Sequence, residues 1–117
     1  MDFLLVANAV AALISAGSSV AGVLRPGLAL PAGEPVNAGT DLYARAYAVR
    51  AVPLGLATAL LLLTGASHGA AWPMLLVAGL AQVSDSAIGA RYRNRGMAFG
   101  AGAFAVLHLA SAAWIAR

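Results

Sequence analysis

Four long apolar stretches follow one another in this chain, and each has the length of a membrane-spanning helix. A helix of about 20 residues is needed to cross roughly 30 Å of hydrocarbon. The stretches cover residues 3–24, 41–64, 72–90 and 97–116. Because a helix satisfies its backbone hydrogen bonds internally, it is the structure that such stretches adopt in lipid. The sequence therefore predicts a single all-α domain, an integral membrane four-helix transmembrane bundle.

The composition also identifies the lipid bilayer as the solvent and partner of this chain. Apolar residues make up 62% of the 117 residues and charged residues 9%, against roughly 45–50% and about 25% in soluble domains. So few charges could not cover the surface of a chain this small in water. The first stretch follows Asp2 and lacks a basic leader, so we expect a retained helix and not a signal peptide.

The distribution of basic residues predicts how the bundle sits in the membrane. All seven are arginines. The loops after the first and third stretches hold Arg25, Arg91, Arg93 and Arg95, whereas the opposite side has Arg117 and the amino terminus. The positive-inside rule then places both termini outside and both basic loops in the cytoplasm, with the chain in the cell's inner (plasma) membrane. Loop arginines also explain the net charge of +3 without nucleic acid as a partner.

Missing residue types exclude several kinds of chemistry. The chain has no cysteine and no lysine, which excludes disulfides, a thiolate nucleophile and a lysine Schiff base. A single histidine among the spans is too few for most metal sites, and the sequence has no phosphate-binding glycine loop. We therefore predict neither a metal nor a cofactor.

Polar residues from all four helices converge on the cytoplasmic half of the predicted bundle. The strictly apolar part of the second helix, residues 51–63, is too short to span alone. Arg45 and Arg50 therefore lie in or near the membrane, where a central charge costs roughly 2.5–3.5 kcal/mol. At ~1.5 Å per residue, Asp85 lies about 9 Å and His108 about 16 Å from their cytoplasmic helix ends. Similar depths are reached by Tyr47, Gln82 and Ser15.

Helix faces suggest partners within this cluster. Tyr43, Tyr47 and Arg50 share one stripe of the second helix, whereas Arg45 lies on the opposite face with Asp41. Arg45 is therefore either a site residue or a side chain paired with Asp41 near the interface.

Asp85 is the only acid predicted inside the hydrocarbon, so we expect Arg50 or Arg45 to pair with it. A buried ion pair that only fixes the register of the helices is the structural alternative. His108 is, in the same way, either a functional group or a hydrogen-bonded packing residue.

A short motif in the second and third helices resembles a known family. Arg45-x4-Arg50-x4-Gly55, followed by a leucine run and by Asp85 in the next helix, is similar to the small four-span proteins called domain of unknown function 4267. The resemblance covers about residues 41–114, and Ala51 departs from it where an acid is expected. Related membrane proteins occur in natural-product biosynthesis, and some are assigned as epoxide-opening or cyclising enzymes. The resemblance implies such a role here.

The preferred hypothesis is a cofactor-independent enzyme that takes a lipophilic small molecule from the bilayer. Asp85 is predicted to act as a general base on water or a substrate hydroxyl. Tyr47, Arg50 or His108 would donate to the developing alkoxide, as in an epoxide hydrolase or cyclase. The residues predicted to bind substrate are Arg45, Gln82, Tyr43 and Ser15.

Two other functions use the same cluster. A proton-coupled transporter would exchange protons at Asp85 and, with so narrow a cavity, would work as a homodimer supported by small-residue stripes such as Gly96-xxx-Gly100. A structural membrane subunit would use the cluster only to fix packing. The outer half of the predicted bundle offers little polar lining beyond Asn8, which favours a pocket over a continuous path.

Overall fold

Four α-helices make up most of the structure, a computed structural model that describes residues 2–117. Helix α1 spans Phe3–Leu24, α2 spans Ala38–Leu63, α3 spans His68–Arg91 and α4 spans Arg95–Ile115, with a short 3-10 helix at Pro26–Ala29. Each α-helix is long and apolar enough to cross a membrane, and residues 2–117 contain no strand. The predicted all-α four-helix bundle is confirmed, and the chain is a multi-pass membrane protein.

Two helices begin about one turn before the apolar stretches that predicted them. Helix α2 begins at Ala38, because the side chain of Asn37 caps it by accepting a hydrogen bond from the Thr40 backbone nitrogen at 3.0 Å. Helix α3 begins at His68, so Pro73 lies in its second turn. Hydropathy locates the part of a helix that lies in hydrocarbon, and a helix can begin outside that part, in α2 at a capping residue.

The order of the helices gives the bundle two chemically different ends. The loops after α1 and α3 meet at one end, where the Asn94 side chain donates to the Leu28 carbonyl oxygen at 3.3 Å. We call it the basic end, because it holds Arg25, Arg91, Arg93 and Arg95. The other end, the terminal end, holds the turn between α2 and α3 and the outer ends of α1 and α4. Gly65 forms that turn with φ +74°, a left-handed conformation that glycine adopts at little cost.

The helices pack as two tight hairpins, α1 against α2 and α3 against α4, with sparser contacts between the hairpins. Small residues allow the close approach within each hairpin. A Cβ added at Gly55 in α2 would lie 2.6 Å from the carbonyl oxygen of Ala12 in α1. One added at Gly89 in α3 would lie 2.5 Å from the backbone nitrogen of Ala98 in α4. These glycines therefore set the separation of the helices in both hairpins.

The hydrophobic core lies in the half of the bundle next to the terminal end. Its buried residues come from all four helices and are mostly alanines: Ala9, Ala12, Ala59, Leu62, Ala71, Leu75 and Ala112. Because small side chains let all four helices converge, this half of the bundle is closely packed. The half next to the basic end is more open, and it contains the polar cluster and two cavities.

Replacing Gly55 by alanine is expected to weaken the α1–α2 hairpin, because the added methyl group meets a backbone oxygen that cannot rotate away. Overpacking of this kind lowers the free energy of unfolding by about 1–3 kcal/mol. Unfolding in detergent measures the change. Gly17→Ala is the matched control, since no atom lies within 4 Å of a Cβ added there. Equal stability of the two variants would contradict the close approach at Gly55.

Candidate functional site

Four hydrogen bonds between side chains connect the α1–α2 hairpin to the α3–α4 hairpin in residues 2–117. Two of them, Tyr47–Asp85 and Ser15–Gln82, lie in the open half of the bundle, and we call these two pairs the polar bridge. The other two lie deeper, toward the terminal end, and share the side chain of Asn8. In the open half the hairpins are thus joined through polar contacts, whereas near the terminal end the residues of the hydrophobic core also bring them together.

The Tyr47–Asp85 pair is the shorter contact of the polar bridge. The Tyr47 hydroxyl donates to Asp85 Oδ2 at 2.6 Å. Helix α2 places Tyr47 one turn after Tyr43, and the two rings stack with their centroids 6.2 Å apart. Asp85 lies six residues before the end of α3, about 9 Å along the helix from the basic end. The stacked Tyr43 ring and the Asp85 carboxylate together fix the position of the Tyr47 hydroxyl.

The Ser15–Gln82 pair lies beside the Tyr47–Asp85 pair. Gln82 Nε2 donates to Ser15 Oγ at 2.7 Å and so connects α3 to α1. Gln82 precedes Asp85 by three residues, which puts both side chains on one face of α3. The predicted convergence of Ser15, Tyr47, Gln82 and Asp85 is confirmed, and α3 contributes one side chain to each pair of the polar bridge.

Asn8 connects α1 to α4 through a second polar cluster. Asn8 Nδ2 donates to the Leu4 carbonyl oxygen and to Ser111 Oγ, both at 2.8 Å. Asn8 Oδ1 lies 2.7 Å from His108 Nδ1. Asn8, His108 and Ser111 are all buried. Asn8 thus holds both other side chains by hydrogen bonds, and His108 is a hydrogen-bonded packing residue, one of the two alternatives that the sequence left open.

The Leu4 carbonyl oxygen determines which nitrogen of His108 carries a proton. A carbonyl oxygen can only accept, so the Asn8 amide must turn its NH₂ group toward Leu4 and its oxygen toward His108. Asn8 Oδ1 can also only accept, so His108 Nδ1 donates. In a neutral ring, Nε2 is then an acceptor with a free lone pair. His108 is buried and lines a cavity, and its Nε2 makes no hydrogen bond within residues 2–117.

Two cavities meet at the polar bridge. The first lies mainly between α2 and α3, has a volume of about 330 Å³, and is lined by Arg50, Leu54, Thr58 and His108 besides the bridge; we call it the α2–α3 cavity. The second lies between α1 and α4, has a volume of about 490 Å³, and is called the α1–α4 cavity. Ser15, Tyr43, Tyr47, Gln82 and Asp85 line both. The polar bridge therefore separates two cavities on opposite sides of the bundle.

The arginines of α2 do not pair with Asp85, contrary to the expectation from sequence. Arg45 makes the only ion pair in residues 2–117, with Asp41 at 2.9 Å, and its side chain is 64% exposed. Arg45 lines neither cavity, so the structure does not bring it to the site, and its surface alternative is confirmed. Tyr47 takes the place of an arginine at Asp85 because it lies on the face of α2 that is directed toward α3.

Arg50 lies in the wall of the α2–α3 cavity and is exposed. It forms none of the ion pairs or side-chain hydrogen bonds among residues 2–117. Arg50 is twelve residues from the start of α2, about 18 Å along the helix. An arginine at this depth is rare unless it is paired or functional, and its donors are available to a molecule in the cavity.

Sequence reasoning missed Ser111 and Thr58. Ser111 follows His108 by three residues, and that spacing predicts a shared helix face that could have identified it as a partner. Thr58 is fully buried and donates to the Leu54 carbonyl oxygen within its own helix. No sequence signal distinguishes such a threonine from one that faces lipid.

No three histidine, cysteine, aspartate or glutamate side chains in residues 2–117 lie close enough together to hold a metal ion. No protein-family model, curated protein or solved structure matches the chain. The resemblance to domain of unknown function 4267 therefore stays a prediction, and the site has to be interpreted from its geometry.

The contact between Asn8 Oδ1 and His108 Nδ1 predicts the tautomer of His108. Under conditions in which the ring is neutral, ¹⁵N NMR of histidine-labelled protein in detergent should show the proton on Nδ1, with an unprotonated Nε2. Asn8→Leu removes the acceptor at Nδ1, and the tautomer with the proton on Nε2 should then increase. The second histidine, His68, is exposed and should show no change. A His108 ring with its proton on Nε2 in the unaltered protein would contradict the assignment.

Proposed function

We propose that this protein is a membrane-embedded enzyme that acts on a lipophilic substrate by acid/base chemistry, such as epoxide opening or cyclisation. The observation that carries the proposal is the Tyr47–Asp85 pair in the wall of an otherwise largely apolar cavity. A general base and a proton donor lie in direct contact there, and both side chains are partly buried. Electrostatic effects of such groups are larger in a low-dielectric site than in water.

The α2–α3 cavity has the size and lining of a small-molecule site. Its volume of about 330 Å³ falls at the lower end of the roughly 300–1,000 Å³ typical of ligand pockets. Residues from the interior of α2 and α3 form most of its wall, and none of its lining residues belongs to a loop. A molecule enters such a cavity between the helices, from the lipid. This supports a lipophilic substrate with one polar group that faces Asp85.

In the proposed reaction, Tyr47 and Asp85 both return to their starting protonation states. The Asp85 carboxylate takes a proton from water, and the water oxygen forms a bond to an epoxide carbon. The carbon–oxygen bond of the ring breaks, its electron pair moves to the oxygen, and Tyr47 donates a proton to that alkoxide. Asp85 then returns its proton to Tyr47 along their 2.6 Å contact. In a cyclisation, a substrate hydroxyl takes the place of water.

The remaining polar residues have supporting roles in this scheme. Arg50 stabilises the developing alkoxide charge from the cavity wall. His108 Nε2, at the inner end of the cavity, accepts a hydrogen bond from a substrate hydroxyl. Gln82 and Ser15 hold α3 against α1 and so keep Asp85 in register with Tyr47.

The packing of the terminal half supports a pocket more than a transport path. Leu62 and Leu75 are fully buried there, among the alanines of the core, and no lining residue of either cavity belongs to the turn at the terminal end. A transporter would need an opening at both ends of the bundle. The transporter, acting as a homodimer, remains the alternative that a proton-flux assay addresses.

The proposed location is the inner (plasma) membrane, with the basic end in the cytoplasm. Arg25, Arg91, Arg93 and Arg95 are exposed at one end of the bundle, and the positive-inside rule supports the cytoplasm for that end. The proposed active site then lies in the cytoplasmic half of the bilayer, and both termini lie outside.

The central test of this function is Asp85→Asn. Mass spectrometry should find a lipophilic compound that co-purifies with Asp85→Asn and that the unaltered protein converts. Conversion by the variant should be slower by about 10²- to 10⁴-fold, the usual contribution of a general base. The matched control is Asp41→Asn, which changes the same residue type outside both cavities and should leave conversion unchanged. Equal conversion by Asp85→Asn, or conversion by neither protein, would contradict the proposal.

A further inference from the structure

The α1–α4 cavity reaches the basic end of the bundle, whereas the α2–α3 cavity does not. Its lining includes Leu28 and Ala29 from the 3-10 helix and Asn94 from the loop before α4. Asp85 and Tyr47 line it as well. It therefore extends from the membrane surface to the proposed catalytic pair, on the side opposite the α2–α3 cavity.

We propose that the α1–α4 cavity is the aqueous access to Asp85, through which water enters as the second reactant. The lipophilic substrate reaches Asp85 from lipid through the α2–α3 cavity, and water reaches it from the basic end. The role of water as a reactant rests on the proposed function. The presence of water in the cavity is independent of that function and can be tested separately.

Polar side chains, among them Ser18, Ser19 and Asn94, line the α1–α4 cavity between the polar bridge and the basic end, in a wall that is otherwise mostly apolar. The hydroxyls of Ser18 and Ser19 donate to backbone carbonyl oxygens of α1, which leaves their lone pairs to accept from water. There is open space beside Gly22 and Gly100 in its wall, because a Cβ added at either position would meet no atom within 4 Å. Its volume of about 490 Å³ is room for several water molecules, each of which takes about 30 Å³ in the liquid.

A reaction between water and a lipophilic molecule inside a membrane needs access from two phases, and two separate entrances provide it. A single entrance that opens to lipid would admit the substrate but no water. One that opens only to the aqueous phase would require the substrate to leave the bilayer. Because Asp85 lines both cavities, its carboxylate can contact water on one side and substrate on the other.

The test uses the absence of cysteine from the chain, since each introduced thiol is then the only one. Ser18→Cys and Gly100→Cys place a thiol in the α1–α4 cavity. Gly17→Cys and Phe99→Cys place one at the same depth on the same helices, at exposed positions that line neither cavity. A charged, membrane-impermeant methanethiosulfonate reagent is added to proteoliposomes, and the labelled fraction is followed by mass spectrometry.

The two cavity thiols should react at least about tenfold faster than their neighbours, because only the thiolate reacts and it forms only where water is present. Gly22→Leu, one turn nearer the basic end than Ser18, should block the cavity and slow the labelling of Ser18→Cys. Gly17→Leu should leave that rate unchanged. Equal rates for the cavity and lipid-facing thiols, or no effect of Gly22→Leu, would overturn the proposal.

The labelling experiment and the conversion experiment separate the two proposals. If the cavity thiols are labelled but no compound is converted, the aqueous cavity stands and the enzyme proposal fails. If a compound is converted but the cavity thiols resist the reagent, the enzyme stands and this route for water is wrong. Where both succeed, Gly22→Leu should slow conversion relative to Gly17→Leu, although the substrate still binds.

Discussion

The hydrogen bond from Tyr47 to Asp85 is the contact on which the rest of the site depends, because it joins two hairpins that share few other contacts in the open half. Between helices in lipid there is no hydrophobic driving force, and packing or polar contacts must hold them together. Within each hairpin, glycines and alanines provide the packing. Between the hairpins, the polar bridge and the Asn8–His108 cluster provide the polar contacts. Such bonds are individually worth about 0.6–1.7 kcal/mol in a membrane protein.

Because small residues hold each hairpin together and polar contacts connect the hairpins, the packing of the bundle differs between its two ends. Small residues converge near the terminal end and form a closed core, whereas bulkier polar side chains hold the hairpins apart near the basic end. The two cavities result from that separation, and the polar bridge lies between them. The Asp85 carboxylate lines both cavities, and one of them includes residues of the basic end. The proposed chemistry and the proposed water route both follow from this one placement.

Much of this arrangement could be predicted from the sequence. The lengths of the apolar stretches were sufficient for the four helices, and a rise of about 1.5 Å per residue was sufficient to put Ser15, Tyr47, Gln82 and Asp85 at one level. The partner of Asp85 was not predictable in the same way. Opposite charges suggested an arginine, but the rotation of α2 directs Tyr47, and not Arg45, toward α3, and only tertiary packing fixes that rotation.

The position of His108 shows a second limit. Its depth was counted from residue 97, but α4 begins at Arg95, so His108 lies about 20 Å from the basic end. This places it beside Asn8, in the half that was expected to have little polar lining. Its contact with Asn8 involves residues a hundred positions apart in the chain, a pairing that hydropathy and helix periodicity do not contain.

The most direct test of the whole account is a double-mutant cycle on the Tyr47–Asp85 contact. The free energies of unfolding in detergent are measured for the unaltered protein, Tyr47→Phe, Asp85→Leu and the double variant. If the two side chains join the hairpins as described, the single effects will not add, and the coupling energy will be about 0.6–1.7 kcal/mol. A coupling energy indistinguishable from zero would mean that Tyr47 and Asp85 do not interact, and the site built on them would be wrong.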